Sequence, residues 1–115
     1  MTVRQPVVIE GTIELDGPRV LEGAMAEVQL REKAMADAPA KIVARSRMKP
    51  ADGRAERIPF RLEALVEEDG DYALAAEIRC RGSETLAPGD MLTVVHHPWR
   101  YATGRRVTLP VKEIS

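Results

Sequence analysis

The residues of this 115-residue chain that could do chemistry are few, and their spacing works against it. The two histidines, His96 and His97, are adjacent. Neighbours on an extended strand point to opposite faces, so the pair cannot chelate one metal without a bulge. Zinc would need two further ligands, and none stands at a suggestive spacing. The single cysteine, Cys80, cannot form an intramolecular disulfide. It falls on the apolar side of an alternating run, where a thiol is inert packing rather than a nucleophile. The acidic stretch Glu67-Glu68-Asp69-Gly70-Asp71 is dense in carboxylates but lacks the alternating ligands of a calcium loop, and reads as an exposed hairpin tip. There is no phosphate loop, dinucleotide fingerprint or nucleophile elbow. The expectation is a protein that is not an enzyme and uses neither metal nor cofactor.

Binding chemistry is better represented. Aromatic residues make up only 3% of the chain, yet Pro98-Trp99-Arg100-Tyr101 holds two of them beside an arginine. Trp, Tyr and Arg concentrate binding energy at interfaces, and loops carry function. Trp99, Arg100 and Tyr101 are therefore the candidate partner-binding residues. The competing reading is that Trp99 plugs one end of a core and Tyr101 closes a corner. A second candidate is a basic stripe of Arg45, Arg47, Arg79 and Arg81, matched against Glu10, Glu14, Glu27 and Glu77 if their strands are neighbours. Its plain alternative is a solvated sheet face.

Strands must position these groups, because period-two alternation recurs along the chain. In Val7–Leu15, residues Ile9, Gly11, Ile13 and Leu15 share one face, and Asp16-Gly17-Pro18 supplies turn chemistry. Ala24–Glu32 turns Ala26, Val28 and Leu30 inward and Glu27, Gln29 and Arg31 outward. Ala40–Met48 follows the small-residue loop Lys33–Pro39, and Pro50-Ala51-Asp52-Gly53 ends it. Arg57–Glu63 buries Ile58, Phe60 and Leu62, with Pro59 marking an edge. Tyr72–Cys80 alternates most clearly and should be central. Met91–His97 and Arg105–Glu113 complete the set, Pro110 again suggesting an edge. About seven short strands at these intervals predict a single all-β domain over 1–115, an antiparallel β-sandwich of immunoglobulin or transthyretin type.

Composition limits the partners. A net charge of −1, with basic residues dispersed among acidic ones, offers no field for nucleic acid. No apolar run approaches the ~20 residues of a membrane-spanning helix or the core of a signal peptide. The chain as written reads as cytoplasmic. What remains is a protein partner, captured along a sheet edge or in a groove, or self-pairing of edge strands into a homodimer.

The loop Ala36-Asp37-Ala38-Pro39-Ala40, the strand Lys41-Ile42-Val43-Ala44, Ile58-Pro59-Phe60-Arg61-Leu62 and Tyr72–Arg79 together carry a resemblance. In order and spacing, over nearly the whole chain, they resemble the type III secretion lipoprotein chaperone family, the YscW/YbaY-like proteins. Val8–Ile13 fits that family's opening strand. The resemblance implies a small β-sandwich acting as a pilotin, an escort of the outer-membrane secretin ring, and so a secretion component as partner. It also implies a periplasmic or outer-membrane location if a leader has been removed. Two features depart from the family. The chain has no cysteine before Cys80 to bear a lipid, and Thr93–Trp99 reads differently from the family's Thr-Asp-Thr segment.

Overall fold

The computed structural model describes residues 3–33, 41–81 and 85–114. The Ala36–Ala40 element of the family resemblance lies outside the described residues. Among those described, the structure is all-β, with two sheets and no helix. The strands are β1 (Arg4–Leu21), β2 (Met25–Glu32), β3 (Ile42–Met48), β4 (Gly53–Glu67), β5 (Tyr72–Arg79), β6 (Met91–Leu92), β7 (His97–Trp99), β8 (Arg106–Pro110) and β9 (Lys112–Glu113). One sheet has the order β4-β1-β8; the other runs β3-β2-β5-β6-β9, with β7 also paired to β5. Between them lies a core of Ile9, Ile13, Leu30, Leu62, Ile78, Leu109 and their neighbours, the alternate residues of the facing strands.

The expected faces of β1, β2, β4 and β5 appear as read, and β5 is central. Four details differ. Asp16-Gly17-Pro18 does not end the first strand: β1 continues to Leu21, and the turn residues become a bulge between Glu14 and Arg19. Gly17 takes φ +90° there, a conformation that suits glycine. The Met91–His97 run splits into β6 and β7, and the chain leaves the sheet at Val94 and Val95, 59% and 65% exposed. Arg105–Glu113 also splits. β8 lies in the first sheet, and beyond Pro110 the chain passes to the second sheet as β9. Finally, β8 pairs parallel to β1, so the sandwich is not wholly antiparallel.

The two sides of the sandwich are therefore unlike. On one side a continuous segment, β8 to β9, passes from sheet to sheet and closes the core. Val111, between the two strands, donates to the Glu14 carbonyl at 2.9 Å and is buried. On the other side stand the edge strands β4 and β3. The turn before Gly53, whose φ is +120°, joins them in sequence. The Gly23 N–H pins that end by donating to Asp52 Oδ1 at 3.0 Å.

Candidate functional site

The Pro98–Tyr101 cluster is built as a corner. β7 sets Trp99 opposite Tyr72 on β5, with both side chains on the core face. Trp99 is 0% exposed, and its ring stands 6.1 Å from that of Tyr72 at 57°. The Arg105 guanidinium lies 5.6 Å from the Trp99 ring centroid and 4.7 Å from that of Tyr101. The same group donates to the Tyr101 and Thr103 carbonyls at 2.6 and 2.9 Å. Arg100 is ion-paired with Asp71, and its N–H donates to Thr103 Oγ1. Of the three residues singled out in the sequence, Trp99 presents no surface to a partner. Tyr101 packs against the core and only Arg100 is well exposed.

The histidines are separated: His97 begins β7, and His96 lies just before it, outside any strand. His96 is exposed. His97 is half-buried, and its Nε2 is buried without a partner. Cys80 is half-buried beside the core. Burial, with the nearby Asp90 carboxylate, pushes its thiol pKa up, which suppresses thiolate chemistry. Asp90 is 4% exposed. It accepts from the Cys80 and Ala87 N–H groups at 2.8 and 2.9 Å. The acidic stretch 67–71 is not a hairpin tip, because β4 and β5 lie in different sheets. It crosses between layers and is tied by the Glu67 N–H donating to the Tyr72 hydroxyl at 2.7 Å.

The expected basic stripe divides. β2 lies between β3 and β5, so Arg45 and Arg47 do not adjoin Arg79 and Arg81, and Glu10 and Glu14 belong to the other sheet. Glu27 points away from the core as read, yet is only 6% exposed. Its carboxylate accepts from Arg47 and Gln29 and lies 3.6 Å from the Arg45 guanidinium. Burial alone would raise its pKa. The hydrogen bonds from Arg47 and Gln29 and the charges of the two arginines outweigh that and hold it below the ordinary value. Through this carboxylate the edge strand β3 is fastened to β2.

What the sequence did not single out is the open side. A cleft of about 360 Å³ runs between the edges of β3 and β4. Its apolar wall includes Ile42, Val43, Ala44, Ala64 and Leu65, with Tyr72 at its end. Lys41 and Arg45 line its β3 side and Glu63 and Glu67 its β4 side, with Glu32 and Arg4 adding the opposite sign to each. Leu65 is 58% exposed and Ile42 39%, although both sit in strands. Val43 reaches the core because it is the extra residue of a bulge: Leu30 pairs with Ala44, but Arg31 with Ile42. The signal in the sequence was Leu65, an apolar residue on the strand face of Arg61, Glu63 and Glu67.

The two-sheet sandwich is closed on one side and carries a cleft on the other. In fold the chain is similar to a solved structure, that of an alternative pilotin from the type II secretion system of Vibrio cholerae. The TM-score is 0.77, over 96% of this chain and 99% of that one, at 17% identity. The likeness is one of fold. It lies with a type II pilotin, whereas the sequence resemblance pointed to the type III lipoprotein chaperones. No protein-family model matches the chain, and no curated protein matches it in sequence.

Proposed function

We propose that this chain is a non-enzymatic, pilotin-like binding domain that takes up an extended segment of a secretion-system component in the cleft between β3 and β4. The observation that carries the reading is the cleft itself: two strand edges, unpaired among the described residues, flanking an apolar strip between charged rims, in a fold similar to a pilotin's. An unpaired edge offers backbone donors and acceptors to an added strand, while alternate side chains of that strand find the wall. The wall suits a segment with an apolar residue at every second position. The rims, basic at Lys41 and Arg45 and acidic at Glu63 and Glu67, favour a segment carrying both charges over one of a single sign. The Pro98–Tyr101 corner supports the site from behind through Trp99 and Tyr72 rather than touching the partner.

The test uses synthetic peptides tiling the secretion components of the source organism, titrated into isotopically labelled protein. A binding peptide should shift the amide signals of residues 41–45 and 63–67. Ile42→Arg and Leu65→Arg, both at exposed positions, should weaken that peptide by ~tenfold or more while leaving the melting temperature near that of the parent. Shifts confined to other surfaces, or unchanged affinity in both variants, would sink the reading.

A further inference from the structure

Among the described residues, no strand pairs with the outer edge of β4. Pro59 has no N–H, so the ladder to β1 stays intact only if its backbone position faces away from β1. The Glu67 N–H likewise turns from β1 to the Tyr72 hydroxyl. The register between β1 and β4 runs without a shift from Ile58 to Glu67, so both residues have the same parity along one regular strand. Arg57, Pro59, Arg61, Glu63, Leu65 and Glu67 thus turn their backbone groups to the outer edge, with side chains on the outer face; Pro59 has no N–H to offer, and the Glu67 N–H and carbonyl are taken by the Tyr72 hydroxyl and the Gly70 N–H. All but the half-buried Glu67 are exposed.

We infer that two copies of this chain pair antiparallel through β4, about a two-fold axis at Leu62, joining their three-stranded sheets into one continuous sheet; the β4 edge cannot then take the added strand proposed above, so the dimer and the segment-bound form exclude each other. This register sets Arg61 opposite Glu63 of the partner, Arg57 opposite Glu67, and Pro59 opposite Leu65. Every cross-strand pair on the outer face is then an opposite-charge or apolar pair, and each recurs by symmetry. On the inner face Leu62 meets its own copy, Phe60 meets Ala64 and Ile58 meets Val66. Sliding by two residues puts Arg61 opposite Arg61, or Glu63 opposite Glu63. Sliding further, to an axis at Phe60, keeps Arg57 opposite Glu63 but sets Arg61 against Pro59. Slips by one residue would match free backbone groups with those already bonded to β1.

The pairing also extends charge alternation already present within one protomer. Arg106, Glu10 and Arg61 stand side by side across β8, β1 and β4, and Glu63 of the partner would come next. Arg61 and Glu63 are 62% and 71% exposed in their side chains and 3.1 Å apart, so the interface would hold two such pairs in a closed ring of four charges. Charged side chains on an edge strand usually deter association. Here their order deters the two registers nearest the proposed one.

Light scattering and sedimentation equilibrium from micromolar to millimolar protein test this. The parent should show a concentration-dependent monomer–dimer equilibrium. Arg61→Glu and Glu63→Arg should each weaken the dimer by ~tenfold or more, because like charges then face each other. Mixing the two variants should restore a dimer, as should Arg61→Glu combined with Glu63→Arg in one chain. Far-ultraviolet circular dichroism confirms that each variant folds, and the mixing experiment supplies an internal control. A parent that stays monomeric at millimolar concentration would overturn the inference. So would a dimer indifferent to both charge reversals, or one that mixing does not restore.

Discussion

At the scale of single residues, side-chain type was a poor guide to exposure. Trp99 has the composition of an interface residue and the environment of a core residue, enclosed by Tyr72 and Arg105. Trp99→Ala should cost about 3–5 kcal/mol in urea unfolding, the range for truncating a buried aromatic ring. A change below about 1 kcal/mol would mean that the indole is not the plug described. Glu27 has the composition of a surface residue and almost no exposed surface. Its pKa is lowered in the folded chain from an ordinary value of 4.5. Its contribution to stability is therefore present in full above that value and lost as pH falls through the lower folded one. The stability gap between the parent and Glu27→Gln should be widest near neutrality and shrink as pH drops below about 4.5. Chemical unfolding at a series of pH values measures this, and a gap that does not change with pH would refute it.

At the scale of elements, alternation was legible wherever one face met the core. The facing residues of β1, β2, β4 and β5 follow directly from period two. The bounds of the elements were less legible, because turn chemistry has more than one use. Asp16-Gly17-Pro18 could end a strand or bulge one, and only pairing with β4 on both sides of the bulge decides. Pro110 could mark an edge or a passage between sheets, and here it stands at both. Gly11 shows a constraint invisible in composition. A Cβ built there would lie 1.9 Å from the Val107 carbonyl oxygen and 2.9 Å from the Phe60 ring. β1, with β4 on one side and β8 on the other, has no room for a side chain at that point. Gly11→Ala should destabilise the fold by about 3 kcal/mol or more, since the nearest obstacle is backbone and cannot rotate away. A melting temperature equal to the parent's would show that β8 does not pack so closely. The site was less legible than the fold for a related reason. A cleft is made by strands from two sheets, and no local pattern records that β3 and β4 end side by side.

At the scale of the whole molecule, the contrast between the closed and open sides organises the rest. The cleft, the two edges unpaired among the described residues and the β4 face of the inferred dimer all belong to the open side. On the closed side, β1 finds its second neighbour in β8, nearly the whole chain away. Such a contact is slow to form, because a long loop must be ordered before any pairing rewards it. During synthesis, β1 and β4 can meet once residues up to 67 are available, yet β1 keeps a bare edge until residues 106–110 arrive. Throughout that interval the nascent chain is open on both sides, and one side of its core is uncovered. The parallel strand therefore makes the sandwich a late-sealing structure. In a crowded cell it is most exposed to mispairing just before its last strands dock.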